Sequence, residues 1–147
     1  MQRKCLDGSS CPVARSLDSI GDWWTLLIVR DAMLGVRRFS EFQRSLGLAR
    51  NVLSARLKKL VADGVMTKGP AADGTSYQEY VLTEKGEALL PVLVAMRQWG
   101  ERYLFEPGEP RQELVNRQSG KKLERMRVQD EDGLESGVAD LRLVAVA

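Results

Sequence analysis

Residues 38–60 read Arg38-Phe-Ser-Glu-Phe-Gln-Arg-Ser-Leu-Gly47-Leu-Ala-Arg-Asn51-Val-Leu-Ser-Ala-Arg-Leu-Lys-Lys-Leu60, and two short helices joined by a tight turn account for the stretch. Ser40 and Gln43 have capping-box spacing, which predicts a helix from Ser40 to about Leu46. Gly47 supplies the left-handed conformation that ends it. A second helix is predicted over residues 51–63. At 100° per residue its Leu53, Leu57, Leu60 and Val61 fall within an arc of about 100°, the buried side of an amphipathic helix. The opposite face carries Asn51, Ala55, Lys58, Lys59 and Ala62, which are small or basic.

Downstream, Gly64 closes this helix, and residues 65–69 and 76–82 flank Asp73-Gly74, a dipeptide suited to the positive φ of a hairpin turn. Thr83 can cap a further helix. Gly86 and Pro91 weaken its first part, so it is predicted to restart at Leu90 and run to about Phe105, with Leu89, Val92, Leu93, Met96, Trp99, Gly100 and Tyr103 as its stripe. Upstream, Cys11-Pro12 starts a helix over residues 12–20 with the cysteine at the cap, and Asp22 caps another over residues 23–34. That last helix is apolar almost all round (Trp23, Trp24, Leu26, Leu27, Ile28, Val29), which implies burial in a core or a subunit interface. The order of helix, turn, basic-faced helix, hairpin and helix is that of a winged helix-turn-helix, a mainly α (α+β) fold with a long dimerisation helix.

Glu106-Pro-Gly-Glu-Pro110 has the composition of a boundary. Residues 1–105 are thus predicted as the DNA-binding and dimerisation domain, and residues 106–147 as a small β-rich appendage. Its strand candidates are 113–117, 122–129 and 141–146, with Ser119-Gly120 and Asp132-Gly133 as turns.

Composition removes most alternatives. A chain of 147 residues with 44% hydrophobic content can build one core plus an appendage. It has no histidine, which excludes Ser-His and Cys-His nucleophile systems and argues against an enzyme. Its two cysteines, Cys5 and Cys11, cannot form a four-thiolate metal site, and a bridge between them would close only a small loop. Neither cofactor nor metal is expected. No apolar run approaches the ~20 residues of a membrane span, and the start Met-Gln-Arg-Lys does not lead into a signal-peptide core, so a cytoplasmic protein without a membrane partner is expected.

Net charge is only +2, but its distribution is uneven. Residues 30–59 carry eight basic groups against two acidic ones, and residues 106–147 carry seven against nine. A basic patch around the helix pair suits a polyanionic partner, although such a run is also what a solvated helix face looks like. Near the start of helix 51–63, Asn51, Ser54 and Ala55 are short enough for the backbone to approach base edges, with Arg50 just outside. Arg56, Lys58 and Lys59 can meet phosphates, which adds affinity without sequence information. Arg38 just before the preceding helix, Ser40 at its start and Lys68 at the base of the hairpin complete the candidate DNA-binding set.

The sequence resembles the HxlR-type branch of bacterial winged-helix transcription regulators, related to the MarR group. The resemblance rests on Cys11-Pro-Val-Ala-Arg-Ser-Leu-Asp-Ser-Ile-Gly-Asp-Trp-Trp-Thr-Leu-Leu-Ile-Val-Arg30, on the 38–46 and 51–60 segments, and on Leu82-Thr-Glu-Lys-Gly86, together spanning roughly residues 11–104. It implies a homodimer formed by the N-terminal segment and the last long helix, double-stranded DNA with a pseudo-palindromic operator as partner, more often repression than activation, a recognition helix at 51–63 and a wing at 69–76. Trp23, Trp24, Met96, Trp99 and Tyr103 are the candidate dimer residues; the tryptophans suit a core or an interface, and a groove between them could also admit an aromatic effector. Three features depart from the family pattern. The wing Gly69-Pro-Ala-Ala-Asp-Gly-Thr-Ser76 has no basic residue. The tail has no cysteine where longer relatives carry zinc-ribbon knuckles, and so reads as a degenerate, metal-free ribbon. Cys5 is an extra thiol six residues before Cys11.

Some relatives sense oxidants or electrophiles through the cysteine at the Cys11 position. A thiol at a helix N-terminus faces unpaired amides and the positive end of the helix dipole, a setting for a reactive thiol; a small, unused cap residue is the plainer alternative. Two function classes remain open at this point. One is a dimeric DNA-binding regulator responsive to a thiol modification or a small ligand, and the other is a winged helix serving as a protein-interaction module.

Overall fold

The computed structural model describes residues 4–146; Met1, Gln2, Arg3 and Ala147 lie outside them. Its helices are α1 (Pro12–Ile20), α2 (Trp23–Met33), α3 (Phe39–Leu46), α4 (Arg50–Ala62), α5 (Glu84–Glu87) and α6 (Leu90–Tyr103), and its strands are β1 (Met66–Pro70) and β2 (Gln78–Leu82). The strands pair antiparallel with Met66 opposite Leu82 and Pro70 opposite Gln78, leaving residues 71–77 as the wing loop. The chain divides into two compact units, one ending at Leu93 and one beginning at Val94, so the division falls inside α6 and not after Phe105. No helix among the described residues is long and apolar enough to cross a membrane.

The first unit is organised around the α4 stripe. Leu53, Leu57 and Leu60 are fully or almost fully buried against Ile28 and Val29 of α2, Phe42 of α3, Leu48 of the turn, and Val65 and Met66 entering β1. Burying a side chain of this size stabilises by roughly 1.5–3 kcal/mol, so this cluster is the main force holding α4 in place. Gly47 turns the chain between α3 and α4 with φ +64° and donates its amide to Gln43. A buried charge links α2 to α3: Asp31, 4% exposed, accepts from Ser45 Oγ at 2.6 Å and from Arg30 Nε and Nη2 at 3.0 and 2.8 Å.

Ser40 is not the cap of α3. Arg38 stands at that position with extended backbone and no side-chain cap bond; its carbonyl accepts from the amides of Glu41 and Phe42, and Ser40 lies exposed in the first turn. Likewise α4 starts one residue early, at Arg50, behind Ala49. Asp22 does cap α2, accepting from the Thr25 amide at 2.9 Å and from its hydroxyl. Thr83 caps α5, its Oγ1 accepting from Gly86 N at 3.1 Å. Gly86 has a reason beyond local propensity: a Cβ there would lie 2.2 Å from the Val65 carbonyl oxygen, so this close approach of α5 to the entry of β1 admits only glycine.

The second unit is less regular than a β-rich appendage. It contains two isolated antiparallel bridges, Val115 with Lys122 and Gln129 with Glu135, and a 3-10 turn at Val138–Asp140; residues 141–146 form no strand. Side chains do the tethering where a sheet ladder would. Gln98 donates to the Glu124 carbonyl at 2.9 Å and accepts from the Met126 amide at 2.7 Å, while Arg97 donates to the Gln112 carbonyl. Both turns are closed by Asx oxygens. Asn116 Oδ1 accepts the amides of Gln118 and Ser119, and Asp130 Oδ1 accepts those of Asp132 and Leu134, so side-chain oxygens hold these turns without any thiolate. Among the described residues no group of three His, Cys, Asp or Glu side chains could hold a metal.

Candidate nucleic-acid interface

With one side of α4 sealed in the core, its opposite side is left for solvent. Asn51, Ser54, Ala55, Lys58 and Ala62 are exposed there, and at 100° per residue they lie within about 100° of arc. Among the described residues, the Asn51, Ser54 and Lys58 side chains have no intrachain hydrogen-bond or ion-pair partner, so their donors and acceptors are available to something outside the chain. Arg50, exposed at the first position of α4, carries its guanidinium 5.3 Å from the Phe39 ring.

Two basic residues expected on this face are turned away from it. Lys59 donates to the Ser19 carbonyl at 3.2 Å and to Asp63 Oδ2 at 2.7 Å, and Ser19 Oγ donates to the same carboxylate oxygen at 2.9 Å, so Lys59 staples the end of α1 to the end of α4. Arg56 Nε sits 3.3 Å from Asp22 Oδ1, an ion pair without hydrogen-bond alignment. The cause is angular: counting from Asn51, Lys59 lies about 80° and Arg56 about 140° round the helix, on its shoulder toward α1 and α2. Burial works against the charges of Asp22 and Asp63. It is outweighed at Asp22 by Thr25 and Arg56, and at Asp63 by Lys59, Ser19 and Lys85, so both carboxyls are held below the usual range.

The wing adds two more basic residues, each seated on an aromatic ring. Lys68 of β1 places its ammonium 5.7 Å from the Tyr80 ring centre. Arg38 lies 4.6 Å from the Tyr77 ring centre and pairs with Asp73 Oδ2 at 2.5 Å. The Tyr80 amide donates to the Arg37 carbonyl at 2.7 Å, which holds β2 against the segment entering α3 and brings Arg38 to the wing loop. Asp73 and Tyr77 are neighbours of Arg38 that sequence reasoning missed. The Asp73-Gly74 pair was legible as a turn, and the missing wing arginine was the only hint that a basic side chain had to come from elsewhere.

The candidate dimer residues separate into two groups. Met96, Trp99 and Tyr103 are 53%, 59% and 61% exposed on one face of α6, with the rings of Trp99 and Tyr103 5.8 Å apart. Trp23 is 82% exposed, whereas Trp24 packs against the core of the first unit. Cys5 and Cys11 are both free and exposed. Cys11 occupies the cap of α1, but its thiol makes no cap bond. The Cys5 thiol donates to Asp7 at 2.9 Å, and that hydrogen bond pushes its pKa up.

A family model described as HxlR-like helix-turn-helix matches residues 19–107. An uncharacterised HTH-type transcriptional regulator of Mycobacterium tuberculosis is 44% identical over 98 residues, 67% of this chain. The match spans 62% of that relative's length. The crystal structure of PA1607, described as a transcription factor, is similar with a TM-score of 0.89 and 54% identity over 94% of this chain and 96% of that one. The redox regulator HypR in its reduced form is similar over 63% of this chain and 92% of that one, with a TM-score of 0.57 and 33% identity.

Proposed function

The chain belongs to the HxlR-like helix-turn-helix family of transcription regulators, which are DNA-binding proteins and not enzymes, and from that premise we propose that it is a homodimeric repressor of the cytoplasm that grips a pseudo-palindromic operator with the outer face of α4. One observation carries the docking: α4 is locked by its inner leucines while Asn51, Ser54, Ala55 and Lys58 face outward, the polar three without a hydrogen-bond or ion-pair partner among the described residues. Asn51 and Ser54 supply base-edge contacts, Arg50, Lys58, Arg38 and Lys68 supply phosphate contacts, and Ser40 lies at the margin. Arg56 and Lys59 hold α4 to its neighbours. The second subunit packs on the α6 face of Met96, Trp99 and Tyr103, an apolar surface that favours burial, and exposed Trp23 is a separate candidate contact on the first unit.

Signalling enters through Cys11. Its thiol is exposed at the start of α1, whereas the Cys5 proton is held by Asp7, so an electrophile or oxidant reacts first at Cys11, with Cys5 as the resolving thiol. The description of HypR as a redox regulator supports this reading. The decisive experiment is selection of bound sequences from random duplexes with reduced protein, repeated after alkylation of Cys11. A recovered palindrome lost on alkylation is expected. Recovery of no sequence preference overturns the operator reading, and unchanged binding after verified alkylation overturns the role of Cys11.

A further inference from the structure

The wing loop, residues 71–77, contains no lysine or arginine, yet an arginine stands on it: Arg38, from the cap of α3, stacked on Tyr77 and paired with Asp73. We propose that Asp73 is an internal stand-in for a DNA phosphate, occupying Arg38 in the free protein and thereby weakening binding to duplexes in general. This rests on the reading above that the α4 and wing face docks on DNA.

The chemistry of the pair supports exchange. A carboxylate and a phosphate present the same kind of paired oxygens to a guanidinium. The Asp73 carboxylate meets Arg38 at Nη2, and Tyr77 covers the guanidinium from a ring face, which leaves other donors of Arg38 for a second acceptor. Asp73 is aimed rather than loose: its other oxygen accepts the Thr75 amide at 3.0 Å, and that bond, with Thr75's hydroxyl and Arg38, holds its carboxyl below the usual carboxylate range. Asp73 is also 51% exposed and Arg38 28%, so the pair is screened and contributes little stability, and a phosphate can displace it. Even when displaced, the carboxylate stays within a Debye length of ~10 Å of the incoming backbone and repels it. This penalty falls equally on every duplex. It lowers affinity for operator and bulk DNA alike and leaves discrimination between them to Asn51 and Ser54.

Asp73→Asn tests this because an asparagine oxygen can still accept the Thr75 amide while the charge is gone. Binding of a random-sequence duplex should tighten about threefold to tenfold, and the slope of log K against log salt should steepen by about one. In an Arg38→Ala background the same change should have less than half that effect in log K, since only background repulsion remains. Unchanged or weaker binding by Asp73→Asn overturns the proposal, as does an equal gain in both backgrounds. Lys58→Ala separates this from the docking itself: if it weakens all duplexes while Asp73→Asn changes nothing, the phosphate stand-in alone is wrong. If neither Lys58→Ala nor Arg38→Ala alters binding, the docking face falls and the proposal with it.

Discussion

Helices α4 and α6 carry apolar stripes of the same period, and among the described residues that of α4 is covered throughout while that of α6 is covered only at its start, by the packing of Leu89 and Leu93. Leu53, Leu57 and Leu60 of α4 are sealed by α2, α3 and β1, whereas Met96, Trp99 and Tyr103 of α6 remain more than half exposed. Periodicity shows that a face wants burial; it says nothing about which surface will cover it. The contrast assigns the α4 stripe to folding and leaves Met96, Trp99 and Tyr103 as the surface on which the proposed dimer depends.

The sharpest way to break this contrast is to truncate one residue from each stripe. Leu57→Ala should lower the unfolding free energy by about 2–5 kcal/mol in denaturant titrations, since the removed atoms leave a cavity among fully buried neighbours. Trp99→Ala should leave the secondary structure intact and weaken dimerisation by about 2 kcal/mol, roughly thirtyfold, in equilibrium sedimentation. Wild-type protein that is monomeric at micromolar concentration would remove the basis for the second half.

The flanks of α4 sharpen the comparison further. Asp22→Ala should cost about 0.5–2 kcal/mol through loss of the α2 cap. The carboxyls of Asp22 and Asp63 are held below their ordinary value in the folded chain, so their contribution is complete above the unfolded carboxylate pKa of about 4 and is lost as the pH falls through their folded values. Asp22→Asn should therefore flatten the loss of stability in acid unfolding curves; an unchanged acid limb would count against the Thr25 and Arg56 contacts as its cause. The smallest effect distinguishes two adjacent lysines. Lys58→Ala should reduce the salt slope of duplex binding by about one, while Lys59→Ala should leave the slope alone and slightly lower the melting temperature. Equal slopes for the two variants would mean that Lys59 leaves Asp63 when DNA arrives.

Much of the first unit was legible because its signals are local. Gly47, Thr83, Asp22 and the Asp73-Gly74 turn act on bonds within a few residues, so their roles are readable from spacing. Ser40 misled because the capping-box spacing is shared by residues already inside a first turn, and the extended backbone at Arg38 places the cap of α3 two residues sooner. The tail misled for a different reason. Its Asn116 and Asp130 turns do form, but strand pairing needs a partner at the right register, and residues 141–146 find none within the described chain.

By itself the sequence determined the helix order, the hairpin, the buried face of α4 and the family, since each follows from periodicity, caps and turn residues close together in the chain. Only the tertiary structure decided which basic side chains remain free. Lys58 and Lys59 are indistinguishable in composition and adjacent in sequence, yet a 100° step along the helix gives one to solvent and the other to Asp63 and the end of α1. Arg38 and Asp73 are thirty-five residues apart, and their pairing exists because β2 is held against the start of α3. Charge is a property of a residue, but availability is a property of its neighbours, and neighbours distant in sequence are set by packing.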